Sequence, residues 1–165
     1  MEKYLLSFGH GYSARALTPL LLAQGFTISG TTRSTEKATA LAATGVTPVI
    51  WPGQDMSVHL ERATHLLISA GPNADGDPVL SELREQIASR ASQYEWVGYL
   101  STTGVYGDAQ GGWVDEDSLL KPATKRGEMR VEAERAWRAI PDLPLHIFRL
   151  AGLYGPGRGP FAQVR

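Results

Sequence analysis

The residues of this chain best suited to chemistry form a glycine turn near its start, Ser7-Phe8-Gly9-His10-Gly11-Tyr12-Ser13-Ala14-Arg15, with the spacing GxGxxA. In such a turn the first glycine permits a tight reversal, the second lets a pyrophosphate approach the backbone, and a small third residue lets a helix pack close to a strand. Gly9, Gly11 and Ala14 hold those places, and Tyr12 and Ser13 open the expected helix, whose unpaired N–H groups would face an anion. A dinucleotide site is next decided at the end of the second strand, where the chain reads Gly30-Thr31-Thr32-Arg33-Ser34. A carboxylate there would hold the ribose hydroxyls of NAD. Arg33, flanked by the hydroxyls of Thr32 and Ser34, instead suits a 2′-phosphate, so NADP is the expected cofactor and NAD the less favoured one. The plainer alternative is a solvated Arg33 just before a helix that Ser34 or Thr35 caps.

Other reactive residues form no constellation. His10, His59, His65 and His146 are scattered without metal-ligand spacing, so no metal site is expected. His10, between the glycines, reads as a solvent-facing loop residue. Asp115, Glu116 and Asp117 could offer a carboxylate base but read as a solvated acidic loop. Trp96, Trp113 and Trp137 read as packing residues. No serine stands in a GxSxG elbow, so acyl transfer has no support. A glycine turn after a first strand also serves S-adenosylmethionine, which leaves a methyltransferase as a third possibility.

The elements that must position these residues alternate. Short, nearly continuous apolar runs at 3–8, 26–31, 46–51, 65–70, 96–101 and 145–150 read as strands buried under helices on both faces. Helical patterns at 12–24, 35–44, 58–63, 78–93 and 124–139 lie between them. Pro78 suits a first helical turn, whereas Pro19 inside the first helix removes one backbone bond and predicts a kink. The glycine-rich, acidic stretch 104–122 reads as an irregular loop over the sheet edge.

Two later segments sharpen the picture: Tyr99-Leu100-Ser101-Thr102-Thr103-Gly104-Val105-Tyr106-Gly107-Asp108 and Phe148-Arg149-Leu150-Ala151-Gly152-Leu153-Tyr154-Gly155-Pro156-Gly157-Arg158. With the glycine turn, they give a chain that resembles, over its whole length, the short-chain dehydrogenase/reductase superfamily, in its extended or atypical branch of NAD-dependent epimerases and dehydratases. The resemblance implies an α/β fold of Rossmann type, a doubly wound parallel sheet in the order 3-2-1-4-5-6 with helices on both faces. It places the cofactor across the carboxyl ends of the strands, beside Ser69, Ala70 and Gly71 after the fourth strand and Leu150 and Ala151 at the end of the sixth.

The resemblance also assigns Thr102 the support of the reacting oxygen. Where the family has the tyrosine and lysine of a YxxxK segment, this chain has Arg126 and Arg130, aligned through Pro122, Gly127 and Glu134. A guanidinium stays protonated and cannot serve as the proton donor, but Arg130 can still hydrogen-bond a ribose. The plainer view of the pair is an exposed basic helix start, ion-paired to Glu128, Glu132 or Glu134. Near the adenine, where many relatives use aspartate, the chain has Trp51-Pro52-Gly53, with Asp55 a little later. The activity implied is hydride transfer on a sugar-like or polyol substrate. The rival reading, drawn from the missing tyrosine and lysine, is a non-catalytic cofactor-binding or redox-sensing protein.

Composition narrows the partners. The 165 residues suit one domain, with 42% hydrophobic and 20% charged side chains. Lys+Arg 16 against Asp+Glu 17 leaves a net charge of -1, so neither nucleic acid nor an anionic membrane surface is an expected partner. The expected partner is a small-molecule substrate, and a homo-oligomer is left open. The absence of cysteine excludes disulfides and fits a cytoplasmic setting. No apolar run approaches the roughly 20 residues of a membrane span. In relatives the YGPG motif leads into a substrate-binding portion. Residues 1–165 are accordingly read as a dinucleotide-binding domain that lacks it.

Overall fold

A computed structural model describes residues 2–159. Six strands, β1 (Tyr4–Phe8), β2 (Thr27–Thr32), β3 (Thr47–Ile50), β4 (His65–Ile68), β5 (Trp96–Thr102) and β6 (Leu145–Leu150), form one sheet in the order β3-β2-β1-β4-β5-β6. Every neighbouring pair is parallel. The helices are α1 (Tyr12–Ala23), α2 (Thr35–Ala42), α3 (Ser57–Arg62), α4 (Pro78–Ala88) and α5 (Lys125–Arg138). This is the doubly wound arrangement that the family resemblance implied. The order reverses beside β1, so the crevice of the fold opens at the carboxyl ends of β1 and β4.

Burial on both faces explains why the central strands β1 and β4 are almost continuously apolar. Along β1 the side chains alternate sides: Tyr4, Leu6 and Phe8 join a large core with Leu60, Leu66, Ile68, Ile87 and Trp137. Leu5 points the other way, into a smaller core with Ala14, Ile28, Leu41 and Leu67. Three helices begin with a side-chain cap that satisfies their first N–H groups: Ser34 on α2, Asp77 on α4 and Thr124 on α5. Asp77 does more than cap. Its Oδ1 accepts from Val79 and Leu80 N, and its Oδ2 from the indole of Trp137 at 3.1 Å, which ties α4 to α5.

Four expectations need correction. β6 is an edge strand covered on one face only: Ile147 packs into the large core, while His146 and Phe148 are exposed on the other side, where both rings lie 6.0 Å from Trp96. Trp113 does not pack at all and is fully exposed in the 104–122 loop. The run 78–93 is not one helix, because α4 ends at Ala88 and a separate 3-10 turn, Ala91–Gln93, carries Ala91 back into the core. His10 is buried rather than solvent-facing. α1 runs through Pro19 as one helix. Among the described residues no helix is long and apolar enough to cross a membrane, and no group of three metal-ligating side chains occurs.

Candidate functional site

The glycine turn is held by its neighbours on both sides. Gly9 N donates to Thr31 Oγ1 at 2.8 Å and His10 N to Thr31 O at 3.1 Å, which fixes the turn to β2. Gly9 adopts φ +69, and a Cβ on it would stand 2.9 Å from Ala70 N, so only glycine fits against the Ser69-Ala70 backbone. Gly11 differs. A Cβ there would meet only Gly9 O, at 3.6 Å, so its free side opens into space. Gly11 stands immediately before α1, in the capping position, and offers no side-chain cap. Among the described residues the N–H groups of Tyr12, Ser13 and Ala14 have no protein partner, so the helix end is open to an acceptor from outside the chain.

His10 is the plug that sets this turn. Its ring lies against Gly30 of β2, where a Cβ would come within 2.8 Å of it. Thr18 Oγ1 donates to Ala14 O, so the 3.0 Å contact with His10 Nε2 makes Nε2 the donor and leaves the buried Nδ1 without a partner. Burial, and secondarily the Arg15 charge, lowers the His10 pKa from 6.5 to about 4. The folded protein therefore resists a proton that the unfolded chain accepts. The stability tied to neutral His10 is fully present above pH 6.5 and is lost as pH falls through about 4. We expect wild type to lose on the order of 2 kcal/mol more than His10→Gln between those limits, allowing for solvent screening. Denaturant titrations across that pH range measure it, and parallel curves for the two proteins would contradict a neutral buried imidazole.

The turn forms one wall of a cleft of about 960 Å³ across the carboxyl ends of β1, β4, β5 and β6. Of the residues expected to bind cofactor, Gly9, Gly11, Tyr12, Ser13, Ser69, Thr102, Arg130, Leu150 and Ala151 line it. Ala14 is buried in the smaller core and acts by close packing. Thr32, Arg33, Ser34, Ala70 and Gly71 lie outside the lining. At the end of β2, Ser34 caps α2 through Lys37 N, as the plainer alternative had it, yet Arg33 remains exposed with no ion pair among the described residues. Asp55 is occupied in capping Ser57.

The opposite wall is made by β5 and α5. Thr102 Oγ1 accepts from Gly104 N at 3.1 Å, so its hydroxyl proton is free to donate into the cleft. Arg126 is exposed on the first turn of α5. Arg130 reaches back to β5, donating through Nη1 to Leu100 O at 2.7 Å and to Tyr99 Oη at 3.2 Å. Burial pushes the Tyr99 phenol up to about 12, so it cannot replace the absent tyrosine as an acid near neutrality. The idea of an ion-paired helix start is not met: Glu132 pairs with Arg135 and Glu134 with Arg149, and among the described residues neither Arg126 nor Arg130 has a carboxylate partner. Arg126, Arg130 and Arg158 line the cleft, and among the described residues no carboxylate does.

Sequence reasoning missed the network beneath this wall. Glu134, 1% exposed, accepts from Ser101 Oγ at 2.5 Å and from Arg149 Nη2 at 2.9 Å. Arg149 Nη1 also donates to Tyr106 Oη and to Glu116 O. The network joins β5, α5, β6 and the acidic loop. A glutamate inside an otherwise apolar helical stripe was its available signal. Arg158 was missed as a lining residue too.

No family model matches the chain. Among curated proteins it is 26% identical over 163 residues to protein YeeZ of Escherichia coli strain K12, covering 92% of this chain and 59% of the relative. A solved structure of a functionally unknown conserved protein from Silicibacter pomeroyi superposes with a TM-score of 0.93 at 56% identity, over 99% of this chain and 57% of that one. UDP-glucuronic acid 4-epimerase from Bacillus cereus, solved with NAD, gives a TM-score of 0.74 at 19% identity, over 92% of this chain and 58% of that one. The fold is a Rossmann fold. The chain thus spans somewhat more than half the length of the proteins it matches.

Proposed function

We propose that this chain binds NADP and serves hydride-transfer chemistry of the epimerase, dehydratase or reductase type on a sugar-like or polyol substrate. The observation that carries the reading is the uncapped start of α1, opening with Gly11 onto a cleft lined, among the described residues, by three arginines and no carboxylate. The likeness to a UDP-glucuronic acid 4-epimerase solved with NAD supports a nicotinamide dinucleotide in this position. In this reading residues 1–165 are the dinucleotide-binding domain, and the additional length of the relatives is where a substrate-binding portion would lie.

The diphosphate would rest on the N–H groups of Tyr12 and Ser13 beside Gly9 and Gly11, with Ser69 and Arg130 toward the ribose and Leu150 and Ala151 along the far wall. When bound, the nicotinamide supplies the hydride acceptor or donor. Thr102 donates its free hydroxyl proton to a substrate oxygen. Arg130, tethered to β5, orients without exchanging a proton, and Arg126 offers a fixed charge to an anionic group.

Arg33 supports NADP over NAD because it is exposed, and without an ion pair among the described residues, where a 2′-phosphate would lie. We expect NADP to bind at least about tenfold tighter than NAD, roughly 1.4 kcal/mol, and Arg33→Ala to remove the difference. Calorimetric titration with NADP, NAD and S-adenosylmethionine tests both parts. Equal affinities would end the NADP assignment, and binding of S-adenosylmethionine alone would end the dinucleotide reading.

A further inference from the structure

The segment after β6 reaches the glycine turn. It reverses through Pro156 and Gly157, with Gly155 N donating to Arg158 O at 3.3 Å and Arg158 N to Gly155 O at 2.9 Å. This reversal rests on the first residue of α1. Tyr12 Oη donates to Pro156 O at 3.3 Å, and Gly155 lies so close to the same oxygen that a Cβ would not fit. The Arg158 guanidinium stacks over the Tyr12 ring, 5.0 Å from its centroid.

Tyr12 thus acts as a platform that brings a charge from the far end of the described chain to the uncapped helix end. Arg158 is exposed, lines the cleft and has no ion pair among the described residues. A guanidinium presents a planar fork of donors that matches two phosphate oxygens, and stacking on an aromatic ring limits the freedom lost on binding. Arg130, by contrast, already donates to Leu100 O and Tyr99 Oη. The geometry points to Arg158 as a clamp on the cofactor's diphosphate, which would lie between this guanidinium and the free N–H groups of α1. This inference rests on the dinucleotide reading above and adds to it a residue outside the glycine turn.

The diphosphate is common to NADP, NAD and ADP-ribose, whereas the 2′-phosphate belongs to NADP alone, and the two arginines are separated on that basis. Calorimetric titration of Arg158→Gln with the three ligands is expected to show a loss of about tenfold for each, the scale of one charge-assisted phosphate contact. Arg33→Ala is expected to weaken NADP only. Raising the salt concentration should weaken wild type more than Arg158→Gln, since the variant has lost one screened charge contact. Because the side chain is exposed, the variant's thermal midpoint should match wild type; a folded variant that binds all three ligands as tightly as wild type, or loses affinity for NADP alone, overturns the clamp. Wild type that binds none of the three overturns the dinucleotide reading, and the clamp with it, whereas wild-type binding with an unaffected variant overturns the clamp alone.

Discussion

Gly11→Val abolishes dinucleotide binding and leaves the fold intact: this is the largest functional effect we expect from a single substitution. Gly11 has a negative φ of -96 in an extended conformation, and its Cβ would meet Gly9 O at an ordinary 3.6 Å. Neither a left-handed backbone nor a crowding neighbour therefore demands glycine at this position. The branched methyls would instead fill the side that opens onto the cleft, where an anion must come close to the N–H groups of α1. Gly9 is the internal contrast, since its φ of +69 and the Ala70 backbone 2.9 Å from a Cβ make any side chain there a folding defect. Titration of folded Gly11→Val with NADP should give no measurable heat while its far-ultraviolet circular dichroism matches wild type. Retained affinity in that variant would show that the turn is not the site.

The largest stability effect is expected at Glu134. Its carboxylate is almost wholly buried and is the only acidic partner of Arg149 among the described residues. Glu134→Ala would leave a largely buried guanidinium without its counter-charge and Ser101 Oγ without its acceptor, a loss of about 3–5 kcal/mol. That is a large part of the ~5–15 kcal/mol that holds a typical domain together. Combining Glu134→Ala with Arg149→Met should recover much of the loss, because no unpaired charge then remains. Denaturant unfolding of the two variants decides it. A cost under about 1 kcal/mol for the single substitution would place the pair among solvent-screened surface bridges.

Both predictions concern residues visible in the sequence, but only one of their roles was legible there. Gly11 follows from local rules, because strand, turn and helix are contiguous and the spacing of Gly9, Gly11 and Ala14 states the geometry directly. The six strands were legible for a similar reason: in a parallel sheet covered on both faces, burial turns each strand into a short apolar run. Where that premise fails, at the edge strand β6, the run was still apolar but its outer face proved to be open.

Glu134 and Arg149 are fifteen positions apart on different elements, and although Glu134 interrupts an apolar helical stripe, nothing local names Arg149 as its partner. His10 was misread for the same reason: a histidine in a glycine loop is exposed unless a residue from another strand leaves room for its ring, and Gly30 does so from β2. The sequence by itself determined the order of elements and the glycine turn that opens α1, since each depends on periodicity or on contiguous backbone geometry, whereas the order of the strands in the sheet was implied by the family resemblance. Only the tertiary structure decided which charges are buried together, which arginines face the cleft and that the segment ending in Arg158 returns to Tyr12, because these depend on distances between residues that chain order does not constrain.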